Sequence, residues 1–153
     1  MNKTIIEFIK KQTVASVCCL DAENCPYCFS VFFSFSPVNG LLHFKSSGSS
    51  SHAGFLLKNR VVAGTILPDK LNLLFIRGIQ FTGVILDYSD PLTRSASTEY
   101  HKRFPFALAM PGEVWTLQLE SIKMTDSTKG FGKKILWKRE ATSIPIDAGY
   151  LVT

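Results

Sequence analysis

A hydroxyl-rich loop is the first place in this 153-residue chain where residue types and spacing could do chemistry. It lies within GLLHFKSSGSSSHAGFLLKNRVVAGT, Gly40 to Thr65. A short apolar run, Leu41 to Phe44, meets Ser46, Ser47, Ser49, Ser50 and Ser51, broken only by Gly48. An amphipathic segment, Ala53 to Lys58, leads to a second apolar run, Val61 to Thr65. Strand, hydroxyl loop, helix, strand makes a cradle for an anion. Serine hydroxyls and the free N–H groups of a helix start both aim donors at a phosphate. Lys45 and His52 flank the loop and can add charge. The same composition also suits a flexible Ser/Gly connection, and the residues alone leave both readings open.

Four cysteines, Cys18, Cys19, Cys25 and Cys28, form a second candidate. Cys25-Pro-Tyr-Cys28 spells the glutaredoxin active-site tetrapeptide. In that setting the motif leaves a strand and opens a helix, whose N-terminus lowers the first thiol's pKa. Here FSVFFSFSP follows, a strand-like run with no helical period. The motif therefore falls in a hairpin connection instead of a helix start, and Cys25 and Cys28 are expected to have no thiol-exchange role. Adjacent Cys18 and Cys19 on a strand face opposite ways, so the four do not make a zinc set. Their ordinary reading is small apolar core residues plus two turn cysteines.

The other candidates divide between function and packing. His43 in a strand reads as a core or barrel-facing residue. His52 stands at the anion cradle, and His101 reads as a solvated helix residue. Trp115 and Trp137 lie in apolar runs and read as core. Gly130-Phe131-Gly132-Lys133-Lys134 is either a flexible basic hairpin or a close approach to a phosphate. No Ser/His/Asp or paired-carboxylate constellation is visible.

These residues need elements to hold them. The length suits one domain over 1–153 with a core that folds without staples. Hydrophobic content of 46% and charged content of 19% are those of a globular chain. No apolar run reaches the roughly 18 residues of a membrane span. The N-terminal MNKTIIEFIKKQ lacks the pattern of a secretory signal, which points to the cytoplasm. The net charge of +5 suits an anionic partner, but the basic residues are scattered, which argues against nucleic acid.

Thr4-Ile-Ile-Glu7 reads as a capping box and predicts a helix over residues 4–12. Val14–Leu20, Cys28–Phe35 and Leu41–Phe44 read as an antiparallel meander. Ser50–Lys58 is predicted helical. Arg60–Ile66, Leu71–Arg77 and Gly78–Tyr88 follow as strands. Asp90-Pro91 opens a helix carrying Leu92, Ala96, Tyr100 and Phe104 at every fourth position, ending near Arg103. Val114–Leu119, Ile122–Thr125 and Lys134–Lys138 complete the set, about eight strands with Leu71–Arg77 running on into Gly78–Tyr88. The fold class is mainly β with short helices, a closed or split β-barrel.

Once IRGIQFTG (Ile76 to Gly83), VVAGTI (Val61 to Ile66), YHKRFP (Tyr100 to Pro105) and VWTLQLESIKMTDSTKGFGKKILWKR (Val114 to Arg139) are placed, the chain resembles a known group. It is similar to the FMN-binding split-barrel superfamily typified by pyridoxamine 5′-phosphate oxidase, and within it to the YhbP-like branch. The resemblance implies a homodimer with FMN at the subunit interface. It carries the flavin-wrapping strand onto Phe29-Ser30-Val31-Phe32-Phe33-Ser34, where both charged side chains of the oxidase are gone. Phe32 and Phe33 remain as flavin contacts. The FMN phosphate positions fall on Lys45, Ser46, Ser50, Ser51 and His52, with an arginine replaced by Ser51 and a lysine by His52. Charge would then come from Lys45, or from Lys133 or Lys134 of a partner chain. A flavin-contacting Gln of the oxidase falls on Gly78, and Gln80 on the same strand face stands in for it. A substrate tyrosine matches Tyr100, with Arg103 beside it, but the substrate arginine falls on Phe104. The late Arg-x-His motif has no counterpart, which argues against oxidation of pyridoxamine phosphate itself.

The expectation is a cytoplasmic, homodimeric flavin oxidoreductase of unassigned substrate. The flavin would supply the redox chemistry and the protein its orientation. Three alternatives stand beside it: a non-catalytic flavin or haem module, a barrel without cofactor, and a thiol redox protein using Cys25 and Cys28.

Overall fold

Period-two burial drives most of this chain into strands. The computed structural model describes residues 1–130 and 133–140, and within them seven strands form one antiparallel sheet. They are β1 (Val14–Leu20), β2 (Pro26–Ser36), β3 (Leu41–Ser46), β4 (Val61–Ile66), β5 (Arg77–Ile85), β6 (Glu113–Asp126) and β7 (Lys134–Lys138). The helices are α1 (Lys3–Lys10), α2 (Ser51–Lys58) and α3 (Ala96–Arg103). The order β3-β2-β1-β4-β5-β6 closes on itself because β3 also pairs with β6, from Leu41 opposite Gln118 to Ser46 opposite Glu113. Six strands thus make a closed barrel, and β7 adds to the second half of β6 outside the ring. This is the expected split-barrel class.

Alternation fills the barrel. Ala15, Val17 and Cys19 of β1, Val31 and Phe33 of β2, and Leu42 and Phe44 of β3 are buried in it. Trp115, Leu117 and Leu119 do the same from β6, then Ile122 and Met124. The inward phase slips by one between Leu119 and Ile122. Gly83 pairs with Leu119 and Thr82 with Ser121, so Glu120 is an extra residue, a β-bulge. That slip makes one 14-residue strand read as two. Arg139 anchors the bulge, its N–H donating to the Glu120 carbonyl at 2.8 Å and its Nε to the Leu119 carbonyl at 2.9 Å.

Three further expectations are corrected. The first helix begins one residue earlier than expected and is capped by Asn2, whose side chain accepts from the Thr4 N–H at 2.8 Å, in place of a Thr4 capping box. Leu71–Arg77 is not a strand before Arg77. Asn72 accepts from the Leu74 N–H through its side chain and from the Phe75 N–H through its carbonyl, and this local turn replaces a ladder. Asp90 caps only a 3-10 turn, Pro91–Thr93, and α3 starts afresh at Ala96. The every-fourth stripe survives, with Ala96, Tyr100 and Phe104 buried. Of the Gly130–Lys134 reading, Phe131 and Gly132 lie outside the described residues.

Candidate functional site

Side chains alternate along β3, so Lys45 and Ser46 leave it on opposite faces. Ser46 turns toward the start of α2. Its Oγ lies 2.5 Å from His52 Nε2 and 3.3 Å from Ser50 Oγ. Ser50 caps α2, accepting from the Ala53 N–H at 3.4 Å, and donates to the Ser47 carbonyl at 2.8 Å. His52 stacks flat on Phe29, ring centroids 3.9 Å apart and 7° from parallel. Burial lowers the His52 pKa below its ordinary 6.5, so the ring is neutral at neutral pH. Ser51 is exposed on the first turn of the helix. The hydroxyl loop is therefore a cluster of neutral donors at the positive end of a helix.

Of the residues singled out in the sequence, Ser46, Ser50 and His52 come together here. Lys45 runs to the α3 side, where Nζ donates to the Ala107 carbonyl at 2.7 Å and lies 3.3 Å from His101 Nε2. Tyr100 is 4% exposed and packs with Phe104 and Ala107. Arg103 donates to the Gln12 carbonyl at 2.6 Å and sits over the Phe33 and Phe104 rings. Both residues fasten α3 to the barrel. Phe33 points into the core, 0% exposed, while Phe32 is 53% exposed on the outer face against Phe104. Lys133 is exposed before β7.

The ladder registers assemble a second surface, invisible in the linear chain. Ser30, Ser16, Thr65, Gln80, Lys123 and Leu136 stand directly opposite one another across six strands, from β2 to β7. All six are exposed. A groove of about 510 Å³ flanks one end of this row, lined by Val14, Ser16, Phe32, Thr65, Leu67 and Asp69. Another of about 450 Å³ flanks the other end, with Gln80, Thr82, Lys123, Leu136 and Lys138. Gln80 thus joins a band of mostly small residues around the barrel with an apolar rim, with Lys123 in the row and Lys138 lining the groove at its end. Lys123 was not singled out in the sequence. Counting ladder partners from Gln80 would have found it.

A third polar group lies under α3. His43, 0% exposed, has Nδ1 3.1 Å from Thr116 Oγ1 and Nε2 3.5 Å from Glu99 Oε2. Burial lowers its pKa, and Glu99 opposes that shift. Among the described residues, no group of three or more His, Cys, Asp or Glu side chains is arranged to hold a metal. Nor is any helix there long and apolar enough to cross a membrane.

No protein-family model matches the chain. A UPF0306 protein of Serratia proteamaculans is 35% identical over 138 residues, covering 90% of this chain and 95% of the relative. The UPF0306 protein YhbP of Salmonella schwarzengrund is 34% identical over 134 residues, covering 88% and 90%. Solved structures share the fold at lower identity. A heme-binding protein from Mycobacterium smegmatis superposes with TM-score 0.71 at 14% identity, over 86% of this chain and 55% of its own. A FAD-binding protein from Mesorhizobium loti gives 0.64 at 11%, over 82% and 95%. A protein of the pyridoxinephosphate oxidase family from Clostridium acetobutylicum, related to general stress protein 26, gives 0.63 at 13%, over 88% and 92%. With curated relatives at this identity over nearly their whole length, the chain belongs to the UPF0306 family, the YhbP proteins, built on the split barrel of the pyridoxamine 5′-phosphate oxidase-like proteins.

Proposed function

We propose that this chain binds FMN between two copies of itself and uses it as an oxidoreductase on a small molecule. The observation that carries this reading is the exposed row Ser30–Ser16–Thr65–Gln80–Lys123 with Phe32 and Val14 on its rim. The small, exposed side chains of that row leave room for a planar ring system against part of the barrel wall. Exposed apolar neighbours such as Phe32, Val14 and Leu67 call for cover by a second copy. Gln80 and Lys123 would meet the polar edge of the isoalloxazine, and Ser46, Ser50, Ser51 and His52 the phosphate. That donor set fits a phosphate in shape but supplies no formal charge. Binding should be weaker than where an arginine or lysine serves, and purified protein should carry substoichiometric flavin. When bound, the flavin supplies hydride or electron transfer, and the protein orients it and excludes water.

Haem is the second reading. It is favoured by the neutral phosphate end and by the heme-binding neighbour on the same fold. The absorbance spectrum of purified protein separates the two, because flavin bands and a Soret band do not overlap in pattern. Titration of the stripped protein with FMN, followed by flavin fluorescence, then tests the first reading. Saturable quenching together with NAD(P)H- or oxygen-linked turnover supports it. No quenching at high micromolar FMN overturns it.

A further inference from the structure

β1 and β2 place two cysteines face to face that the CPYC spacing does not pair. Cys18 stands directly opposite Cys28 in the antiparallel ladder. Two backbone bonds fix the phase: Asp21 N–H to the Cys25 carbonyl at 2.9 Å, and Phe33 N–H to the Thr13 carbonyl at 3.1 Å. Hydrogen-bonded pairs fall on alternate rungs between these, so Cys18 and Cys28 occupy a non-hydrogen-bonded rung. On such a rung opposed Cα atoms approach to about 4.5 Å, the short end of the roughly 4.4–6.8 Å that a disulfide spans. The facing Cys28 thiol, then burial, holds the Cys18 thiol above its usual pKa. Cys28 is exposed and Cys18 half-buried, both on the outer face. Cys19 is buried in the barrel, and Cys25 sits at the turn with Sγ 4.0 Å from the Glu23 carbonyl.

We propose that Cys18 and Cys28 form a dithiol site, oxidised reversibly to an intramolecular disulfide by low-molecular-weight disulfides. The Cys28 thiolate attacks one sulfur of the small disulfide RSSR. That S–S bond breaks, one thiolate RS⁻ leaves, and Cys28 carries a mixed disulfide. The Cys18 thiolate attacks the Cys28 sulfur, expels the second RS⁻, and closes the Cys18–Cys28 bond. Two protein thiols lose two electrons and two protons, and RSSR becomes two RSH. The closed bond would lie on the outer face with its Cys28 end exposed, which favours its ready reduction and makes the site labile rather than structural. It lies at the turn end of the hairpin, one same-face rung beyond Ser16 and Ser30, and the proposal does not rest on the flavin reading.

The test exposes folded, full-length protein to oxidised glutathione, then blocks free thiols with N-ethylmaleimide and maps peptides after chymotrypsin. Cutting at Leu20 and Tyr27 separates Cys18 and Cys19 from Cys25, and both from Cys28. The expected product joins the peptides of Cys18 and Cys28 and is reversed by dithiothreitol. Cys25→Ser should give the same product at the same rate. Cys18→Ser should stop at a glutathione adduct on Cys28, which a third variant, Cys19→Ser, should not do. A Cys25–Cys28 link, a Cys28 link between two copies, or no reaction until urea unfolds the chain would each overturn the proposal.

Discussion

Ser51 is where a single charge has the most to change. It stands exposed on the first turn of α2, beside three neutral donors that converge without a cation. A charge-assisted hydrogen bond contributes about 1.5–3 kcal/mol, so Ser51→Arg should tighten FMN binding roughly tenfold or more. Ser50→Asp keeps a good helix cap while setting a carboxylate against the phosphate, and should abolish binding without unfolding the protein. Flavin-fluorescence titration reads both, and unchanged affinity in both would place the phosphate elsewhere. His43 provides a second prediction. Its folded pKa lies below the ordinary 6.5, so on acidification the unfolded chain takes up a proton that the folded chain does not. Stability is then full above the ordinary histidine pKa and falls as pH drops toward the folded one. His43→Gln should lose less urea stability than wild type between about pH 7.5 and about pH 5.5. The Ser46–Ser50–His52 cluster was legible in the sequence because its members are near neighbours along the chain. The Phe29–His52 stack was not, because only barrel closure brings them together.

At the scale of elements, two glycines carry the closest approaches. A Cβ on Gly64 would meet the Ser16 carbonyl oxygen and the Phe81 ring, each at 2.3 Å. Backbone cannot give way cheaply there, so Gly64→Ala should cost about 1–3 kcal/mol or more, read as a lowered urea midpoint. Gly83, beside the bulge, would meet the Gln118 carbonyl at 2.5 Å and should behave alike. β1, α2 and β7 were readable almost to the residue, because period-two patterns and a serine cap act locally. The long β6 was not, because the Glu120 bulge reverses the inward phase, and a phase reversal looks like a break. The Leu71–Ile76 run failed for a related reason. Its apolar composition imitates a strand, yet Leu73 is 96% exposed and Asn72 turns the backbone. The Cys18–Cys28 rung was countable from the hairpin turn, but only once the turn residues were known.

For the whole molecule, the exposed rim around the row from Ser30 to Lys123 is where the proposed second copy would sit. Phe32→Glu puts a charge on a half-exposed position outside the core and should leave the fold intact. Sedimentation should find wild type dimeric at micromolar concentration and the variant monomeric, and a monomeric wild type would remove the proposed interface. The β3–β6 seam also governs how the chain is made. β3 and β6 meet across a separation of 73 residues at His43 and Thr116, so the ring cannot shut until the ninth tenth of the barrel has left the ribosome. Until then β3 offers an open edge, and refolding must meet the entropy of that long loop before any closing contact compensates it. Release of β6 during synthesis is therefore the moment at which a nascent aggregation hazard becomes a barrel with no free strand on that side.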